Sequence, residues 1–154
     1  MNLGVGLAGL TLAALAVQMM LAWFSASVPQ VTVLFVAWCG IRFGSLSGEL
    51  CGFAAGLALD SLGLGPFGAQ AVALAMVGHA CGLARGKLDG ENGAARMVLA
   101  GGSLAIFLLI RSGLFRVAGF EETSWNLWQG VWTILLAHPV FSAFGFAGRR
   151  LRAM

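Results

Sequence analysis

Two carboxylates in the middle of the chain are the residues best placed to do chemistry. Asp60 and Glu49 lie eleven residues apart in an apolar segment, which is about three helical turns, so they project from nearly the same helix face. Such a pair could form a proton or substrate relay. The alternative, which the sequence favours, gives Asp60 a structural or partner-binding ion pair and lets Glu49 reach water or Arg42.

Arg111 is the cation that we expect to pair with Asp60. Both residues are predicted near the same ends of their helices, inside otherwise apolar sequence. A buried arginine in a membrane helix normally faces protein or a cavity. The sequence therefore predicts an Asp60–Arg111 ion pair inside the bundle. The alternative is an Arg111 side chain that extends outward to water from its position near the helix end.

The remaining chemically active residue types form no recognisable motif. His79 and His138 lie on different predicted helices without a carboxylate at ligand spacing, so each is interpreted as a hydrogen-bonded packing residue. The three cysteines have no C-x-x-C spacing and indicate neither a metal site nor a disulfide framework. A phosphate loop, a nucleophile elbow and an H-E-x-x-H motif are absent from the sequence. We expect no enzyme, no cofactor and no metal, and an enzyme acting on lipid within the membrane is the least favoured alternative.

These few polar residues belong to a very apolar chain. The 154 residues are 59% hydrophobic and 10% charged, with a mean hydropathy of +0.89, whereas a soluble domain carries about 25% charged residues. The composition predicts an all-α, polytopic membrane protein with one domain over residues 1–154. The net charge of +3 reflects basic loops, and no nucleic-acid partner is expected.

The hydropathy pattern predicts six transmembrane helices in one bundle. Their approximate bounds are 3–24, 28–43, 46–64, 67–84, 97–115 and 126–147. The first lacks a basic n-region and is predicted to be a retained helix, not a signal peptide. Pro66 should turn the chain after the third helix, and Pro139 should kink the sixth because it removes a helical donor. A re-entrant pair at the short second helix and the Pro66 turn is the alternative.

The basic residues predict the orientation of this bundle. An even number of helices puts both termini on one side, and seven of the nine basic residues fall on that side. They are Arg42, Arg85, Lys87, Arg96, Arg149, Arg150 and Arg152. We therefore expect both termini to be cytoplasmic, in a multi-pass protein of the bacterial inner membrane.

Glycines recur at every fourth position along the third predicted helix, and the next step of the series is Asp60. They are Gly44, Gly48, Gly52 and Gly56. This spacing puts them on one helix stripe, where bare backbone allows another helix to approach closely. A second series in the fourth predicted helix consists of Gly78, Gly82 and Gly86. Two interpretations stay open: the series pack these helices together, or they form a groove for a partner helix or a second copy of the chain.

Several of these residues belong to runs that resemble the MreD family, the small integral membrane subunit of the bacterial rod-shape (elongasome) system. The runs are Pro29-Gln30-Val31, Trp38-Cys39-Gly40-Ile41-Arg42, Gly52-Phe53-Ala54-Ala55-Gly56-Leu57-Ala58-Leu59-Asp60, Gly65-Pro66-Phe67-Gly68 and the step from Gly78 to Arg85. The resemblance covers about residues 29–88. Gln30 departs from it, because an acid or amide such as Asp or Asn is common at this position in the family.

The resemblance implies a non-catalytic scaffold for cell elongation and peptidoglycan synthesis. Its implied partner is a bitopic MreC-like protein and, through that protein, a cell-wall transpeptidase and glycosyltransferase. The family fold is similar to the substrate-binding subunits of energy-coupling-factor transporters. The alternative function is therefore a small-molecule, vitamin-like binding subunit of a membrane transporter, although the short outer loops argue against a lidded pocket.

Overall fold

The computed structural model describes the central part of the chain and shorter stretches on either side. The described residues are 9, 11–14, 16–18, 20, 30–62, 66–85, 93–119, 130–137 and 139–142, with the backbone alone over 93–97. Within these residues the secondary structure is helix and turn, with no strand, which confirms the all-α prediction.

Four helices have both ends within the described residues. They are α1 (Val31–Phe43), α2 (Ser45–Leu62), α3 (Ala69–Leu83) and α4 (Gly93–Val117). They correspond to the second to fifth predicted helices. Helical residues also form an N-terminal segment (11–14 and 16–18) and a C-terminal segment (130–137 and 139–142).

The helix ends differ from the prediction by a few residues, for local reasons. α1 begins at Val31, not at 28, because the Gln30 carbonyl accepts the first helical bonds, from the amides of Val33 and Leu34. α4 begins at Gly93 and ends at Val117, so it is longer than the predicted 97–115. Pro66 lies in the turn before α3, where its carbonyl accepts from the Ala69 amide at 3.2 Å.

The short helix α1 is the centre of the described fold. All ten residues from Val31 to Gly40 are buried, and α1 contacts α2, α3 and α4. A helix that is apolar on every side is typical of a position enclosed by other helices. Its 13 residues make it about 20 Å long. Its enclosed position accounts for its apolar surface without any exposure to lipid.

The hydrophobic core surrounds α1. The largest fully buried side chains include Phe35 and Leu34 of α1, Leu74 of α3 and Phe107 of α4. Both flanking segments also contribute apolar residues, namely Ala14, Ala137 and Phe141. The described segments therefore share one core.

One described helix is both long and apolar enough to cross a membrane. It is the Val98–Val117 part of α4. Shorter apolar helices are Val31–Phe43, Ala69–Leu83 and Gly130–Ser142.

Candidate functional site

The glycine series of α2 lies against α3 along its whole length. An added Cβ at Gly48 would lie 2.6 Å from the Gly78 carbonyl oxygen, and one at Gly52 would lie 2.6 Å from the Leu74 carbonyl carbon. At Gly56 it would lie 2.5 Å from the Ala71 amide nitrogen. Real Cβ atoms do not approach backbone this closely. The two helices therefore pack backbone to backbone, in an antiparallel register that advances four residues at a time.

Gly82 and Gly44 close this contact at the end opposite the Pro66 turn. An added Cβ at Gly82 would lie 2.9 Å from the Gly44 carbonyl carbon. Gly44 itself lies outside α2: it links α1 to α2 with a φ of 100°. The prediction that Gly44 belongs to the helix stripe is therefore wrong, because α2 begins one residue later. A side chain at Gly44 would also be strained, since positive φ favours glycine.

A third helix joins the glycine contact at Gly40 of α1. An added Cβ at Gly48 would lie 2.6 Å from the Gly40 Cα, and one at Gly40 would lie 3.0 Å from the Gly82 amide nitrogen. Gly40 was not predicted to be a packing residue, because it is the only glycine in that predicted helix. The spacing within α1 carries no signal for this contact.

These contacts decide between the two interpretations of the glycine series. Among the described residues, Gly48, Gly52, Gly56 and Gly78 are all in contact with helices of this same chain. The series pack α2 against α3, and the predicted groove for a partner helix along this stripe is already filled. Gly86, the last member of the second series, lies outside the described residues.

Asp60, the next step after Gly56, caps the N-terminus of α3. Its Oδ2 accepts hydrogen bonds from the amides of Gly68 at 3.0 Å and Ala71 at 3.1 Å, and its Oδ1 accepts one from the Gln70 amide at 3.2 Å. The first amides of a helix have no partner within the helix. A carboxylate there also interacts favourably with the helix dipole. Asp60 is buried, and its polar atoms are satisfied by this cap.

The structure does not form the predicted Asp60–Arg111 ion pair. Both Asp60 oxygens are bonded to α3 amides, and the one contact within 4.0 Å between a carboxylate and a basic side chain among the described residues is that of Glu49 with His79. The prediction was wrong because it assumed that a positively charged side chain balances the Asp60 carboxylate. A helix N-terminus supplies both donors and partial positive charge in its place.

Arg111 lies on the buried stripe of α4, between Phe107 and Phe115. Its guanidinium carbon is 4.9 Å from the centre of the Phe115 ring, a cation–π contact. Its Nε is buried without a hydrogen-bond partner. Arg111 therefore packs against Phe115 and is partly exposed, and its outward extension to water stays a prediction.

Glu49 and His79 pair across the outward side of α2 and α3. The Nδ1 of His79 lies 3.1 Å from Oε2 of Glu49. The side chain of His79 is 49% exposed and that of Glu49 is 48% exposed, so the pair is accessible from outside the chain. Glu49 is half-exposed and does not contact Arg42, one of its two predicted partners. His79 is hydrogen-bonded, as predicted, although its partner Glu49 was not foreseen. The antiparallel packing of α2 and α3 brings Gly48 opposite Gly78 and Glu49 beside His79.

A polar cluster surrounds the start of α1. The Val31 amide donates to the side-chain oxygen of Gln18 at 2.9 Å, and the Gln30 amide donates to the Thr133 hydroxyl at 3.0 Å. Gln18 and Thr133 are buried, and they come from the N-terminal and C-terminal segments. The hydroxyl of Thr32 is buried without a hydrogen-bond partner. This cluster was not predicted from the sequence.

The remaining predicted positions are the Pro139 kink, His138 and the cysteines. Pro139 lies in the C-terminal segment, and His138 lies outside the described residues. Within the described part of the chain, no group of three or more His, Cys, Asp or Glu residues could hold a metal ion. Cys39, Cys51 and Cys81 are free thiols.

Comparison with known proteins adds no assignment. No family model, curated protein sequence or solved structure matches the chain. The likeness to MreD rests on the sequence runs given above.

Proposed function

We propose that this protein is a non-catalytic integral membrane scaffold of the bacterial cell-elongation complex, which binds a bitopic MreC-like partner. On this proposal the chain forms six transmembrane helices with both termini in the cytoplasm. The end of the bundle that holds Gly44 then faces the cytoplasm, and the Pro66 turn faces outward. The long apolar stretch Val98–Val117 of α4 supports a membrane location.

The observation that carries this proposal is the structural role of the MreD-like run from Gly52 to Asp60, whose residues pack and cap α3. Gly52 and Gly56 bring α3 into contact, and Asp60 caps the first turn of α3. These residues build a closely packed helix pair, and the Asp60 carboxylate is occupied by the amides of α3. A run that specifies a shape and not a reaction fits a protein that acts by holding others in place.

The proposal is tested by co-purification in mild detergent of the tagged chain with the MreC-like protein co-expressed beside it. Gly52→Leu is a folding control, since its side chain would enter the backbone of α3, and it should be lost from the membrane fraction. A polar substitution at an exposed α4 position, Leu109→Gln, is the matched control for surface changes. The wild type should recover the partner at a fixed ratio. Failure of the folded wild type to recover it would refute the scaffold function.

A second candidate is a small-molecule binding subunit of a membrane transporter. The polar cluster at the start of α1 favours it, because Thr32 presents a buried hydroxyl without a hydrogen-bond partner. Buried polar side chains without partners often mark places where a ligand or water completes the set. Mass spectrometry of the purified protein distinguishes the two functions. A small molecule retained at one per chain, lost on Thr32→Val, would favour the transporter subunit.

The predicted orientation is tested separately with reporter fusions. Enzyme reporters that are active only outside the cytoplasm should be inactive at both termini and active when inserted at the Pro66 turn. Activity at either terminus would contradict the six-helix arrangement.

A further inference from the structure

Arg111 is a permanent positive charge inside the apolar stretch Val98–Val117 of α4. Of the two charged residues in this stretch, Arg116 lies next to its end, whereas Arg111 lies six residues inside it. Arginine is not deprotonated in proteins. An ionisable residue within a membrane helix normally has a partner and indicates a functional site. The surroundings of Arg111 limit what that partner is.

The described carboxylates of this chain do not neutralise Arg111. Both oxygens of Asp60 are bonded to amides of α3, and Glu49 lies beside His79. No carboxylate of the described residues lies within 4.0 Å of the Arg111 guanidinium. The guanidinium lies over the ring of Phe115, which is uncharged. The charge on Arg111 is therefore not balanced within the described part of the chain.

The contact with Phe115 places the guanidinium near one end of the apolar stretch. Its carbon lies 4.9 Å from the centre of a ring that belongs to the next helical turn toward Val117. The guanidinium therefore lies over the last two turns of the stretch. The Arg111 Cα is six residues before Val117, or about 9 Å along the helix axis.

This position is close to the lipid head groups if α4 spans a bilayer. The 20 residues of Val98–Val117 extend over about 30 Å, which is the thickness of the hydrocarbon core. Long basic side chains near the end of a membrane helix reach the head-group region. The nearest anions available there are the phosphates of the leaflet that surrounds the Val117 end.

A phosphate suits the open part of the guanidinium better than water does. Only Nε of Arg111 is buried without a hydrogen-bond partner, so the two terminal nitrogens face the surroundings of this partly exposed side chain. A planar guanidinium binds phosphate oxygens through parallel N–H···O bonds. Attraction between opposite charges is also much stronger near a low-dielectric core than in bulk water. Water has no net charge and lacks this contribution.

The charge at this end of α4 favours an anionic lipid over a zwitterionic one. Arg116 is exposed one residue beyond Phe115, so two guanidinium groups lie at the same end of the helix. A zwitterionic head group brings its own positive charge toward them, whereas an anionic head group does not. Basic residues near a membrane surface attract anionic lipids for this reason.

We infer that Arg111 binds the phosphate of an anionic phospholipid in the leaflet around the Val117 end of α4, with the Phe115 ring positioning the guanidinium. This inference rests on the membrane location in the proposed function and is independent of the MreC-like partner. A dissolved phosphate ion offers the same chemistry. The place of Arg111 inside the apolar stretch favours the lipid as the source.

The test uses the full chain in a neutral detergent, with phosphatidylglycerol or phosphatidylcholine of equal acyl chains added, and native mass spectrometry to count bound lipid. The wild type should bind phosphatidylglycerol at least roughly fivefold more strongly, the contribution of one basic residue near an anionic surface. Arg111→Gln should weaken phosphatidylglycerol binding about tenfold, the loss of one hydrogen bond between charged groups. Arg111→Lys keeps the positive charge and should retain most of the preference.

Arg116→Gln is the matched control, because it removes a positive charge from the same end of α4 at an exposed position. It should weaken phosphatidylglycerol binding by less than about threefold. An equal loss in Arg111→Gln and Arg116→Gln would mean a diffuse attraction by charge and would overturn the site at Arg111. If Arg111→Gln does not fold, the wild type and Arg111→Lys still decide the inference.

Two other results would overturn the lipid site. The first is equal binding of both lipids by the wild type, which an ion pair of Arg111 with Glu121 or Glu122 would produce. The second is a rise in the unfolding midpoint with inorganic phosphate alone that equals the rise with phosphatidylglycerol, because the ligand is then a dissolved ion. A wild type absent from the membrane fraction would refute the membrane scaffold as well. A membrane-bound wild type without lipid preference leaves the proposed function standing.

Discussion

Replacement of Asp60 should destabilise the protein through the start of α3 and not through Arg111. The Asp60 carboxylate accepts three amide hydrogen bonds, from Gly68, Gln70 and Ala71. Asp60→Asn keeps one acceptor oxygen, but its NH₂ group must face an amide donor. Asp60→Ala removes every acceptor and leaves three amides without a partner.

The magnitudes follow from the bonds that are lost. In Asp60→Asn, one amide bond and the favourable charge at the helix N-terminus disappear, which together should cost about 2 kcal/mol. In Asp60→Ala, three partly or fully buried donors lose their acceptor, and the cost should rise to about 4 kcal/mol. For a chain of this size 1 kcal/mol corresponds to about 2–4 °C in the unfolding midpoint. The Asn variant should therefore unfold about 4–8 °C below the wild type.

A thiol-reactive fluorescent dye can measure these midpoints in mild detergent. Cys39 and Cys81 are buried free thiols, so the dye reacts with them as the bundle opens. Glu49→Gln is the matched control, because it removes the other carboxylate of α2 from an exposed position. Its free energy of unfolding should change by less than about 0.5 kcal/mol.

A double-mutant cycle with Arg111→Gln separates the cap from the ion pair. Residues without a shared contact give additive effects within about 0.5 kcal/mol, and this is the expected result for Asp60→Asn with Arg111→Gln. A larger coupling energy would mean that the two side chains interact after all. An Asp60→Asn variant as stable as the wild type would refute the cap itself.

Two further predictions concern packing and the polar cluster, both measured as unfolding midpoints. Gly52→Val should destabilise by more than about 2 kcal/mol because its side chain would overlap the backbone at Leu74; Gly102→Ala in open space should instead stabilise α4 by up to about 1 kcal/mol, and equal effects would contradict the packing. Thr133→Val should cost about 1–2 kcal/mol because the partly buried Gln30 amide loses its acceptor. Thr133→Ser should restore most of that loss, and a neutral Thr133→Val would show that this bond is dispensable.

The close packing of α2 and α3 was predictable from the glycine spacing, but the register between the two helices was not. Four-residue spacing fixes a stripe, which is helix geometry. Two antiparallel helices joined by a short turn bring residues equally distant from that turn together. Gly48 lies 18 residues before Pro66 and Gly78 lies 12 residues after it, so counting outward from Pro66 does not put Gly48 opposite Gly78. The observed register, and with it the Glu49–His79 pair, depends on how the two helices pack.

The partner of Asp60 was mispredicted for a physical reason. A carboxylate in apolar sequence suggests a nearby cation, and Arg111 was available. The free amides at the start of α3 are a second source of positive potential, and they lie across the turn from Asp60. An acid shortly before a Gly-Pro turn and a helix is the signal that indicates such a cap.

The polar cluster at the start of α1 could not be predicted from local sequence. Gln30 and Thr133 are 103 residues apart, and their hydrogen bond depends on how the C-terminal segment packs against α1. Neither helix periodicity nor turn composition carries that information. The same holds for Gly40, whose contacts arise only when α1, α2 and α3 are assembled.

The structure separates the residues that build this protein from those that can give it a partner. The runs that resemble MreD contain Gly52, Gly56 and Asp60, which all act within the chain. Substituting them tests folding, so a partner lost on Gly52→Leu says nothing about where that partner binds. Glu49 lies outside those runs and His79 lies within the step from Gly78 to Arg85, and both side chains face outward. Binding therefore has to be tested on the outward face, where a change in charge leaves the glycine contacts intact.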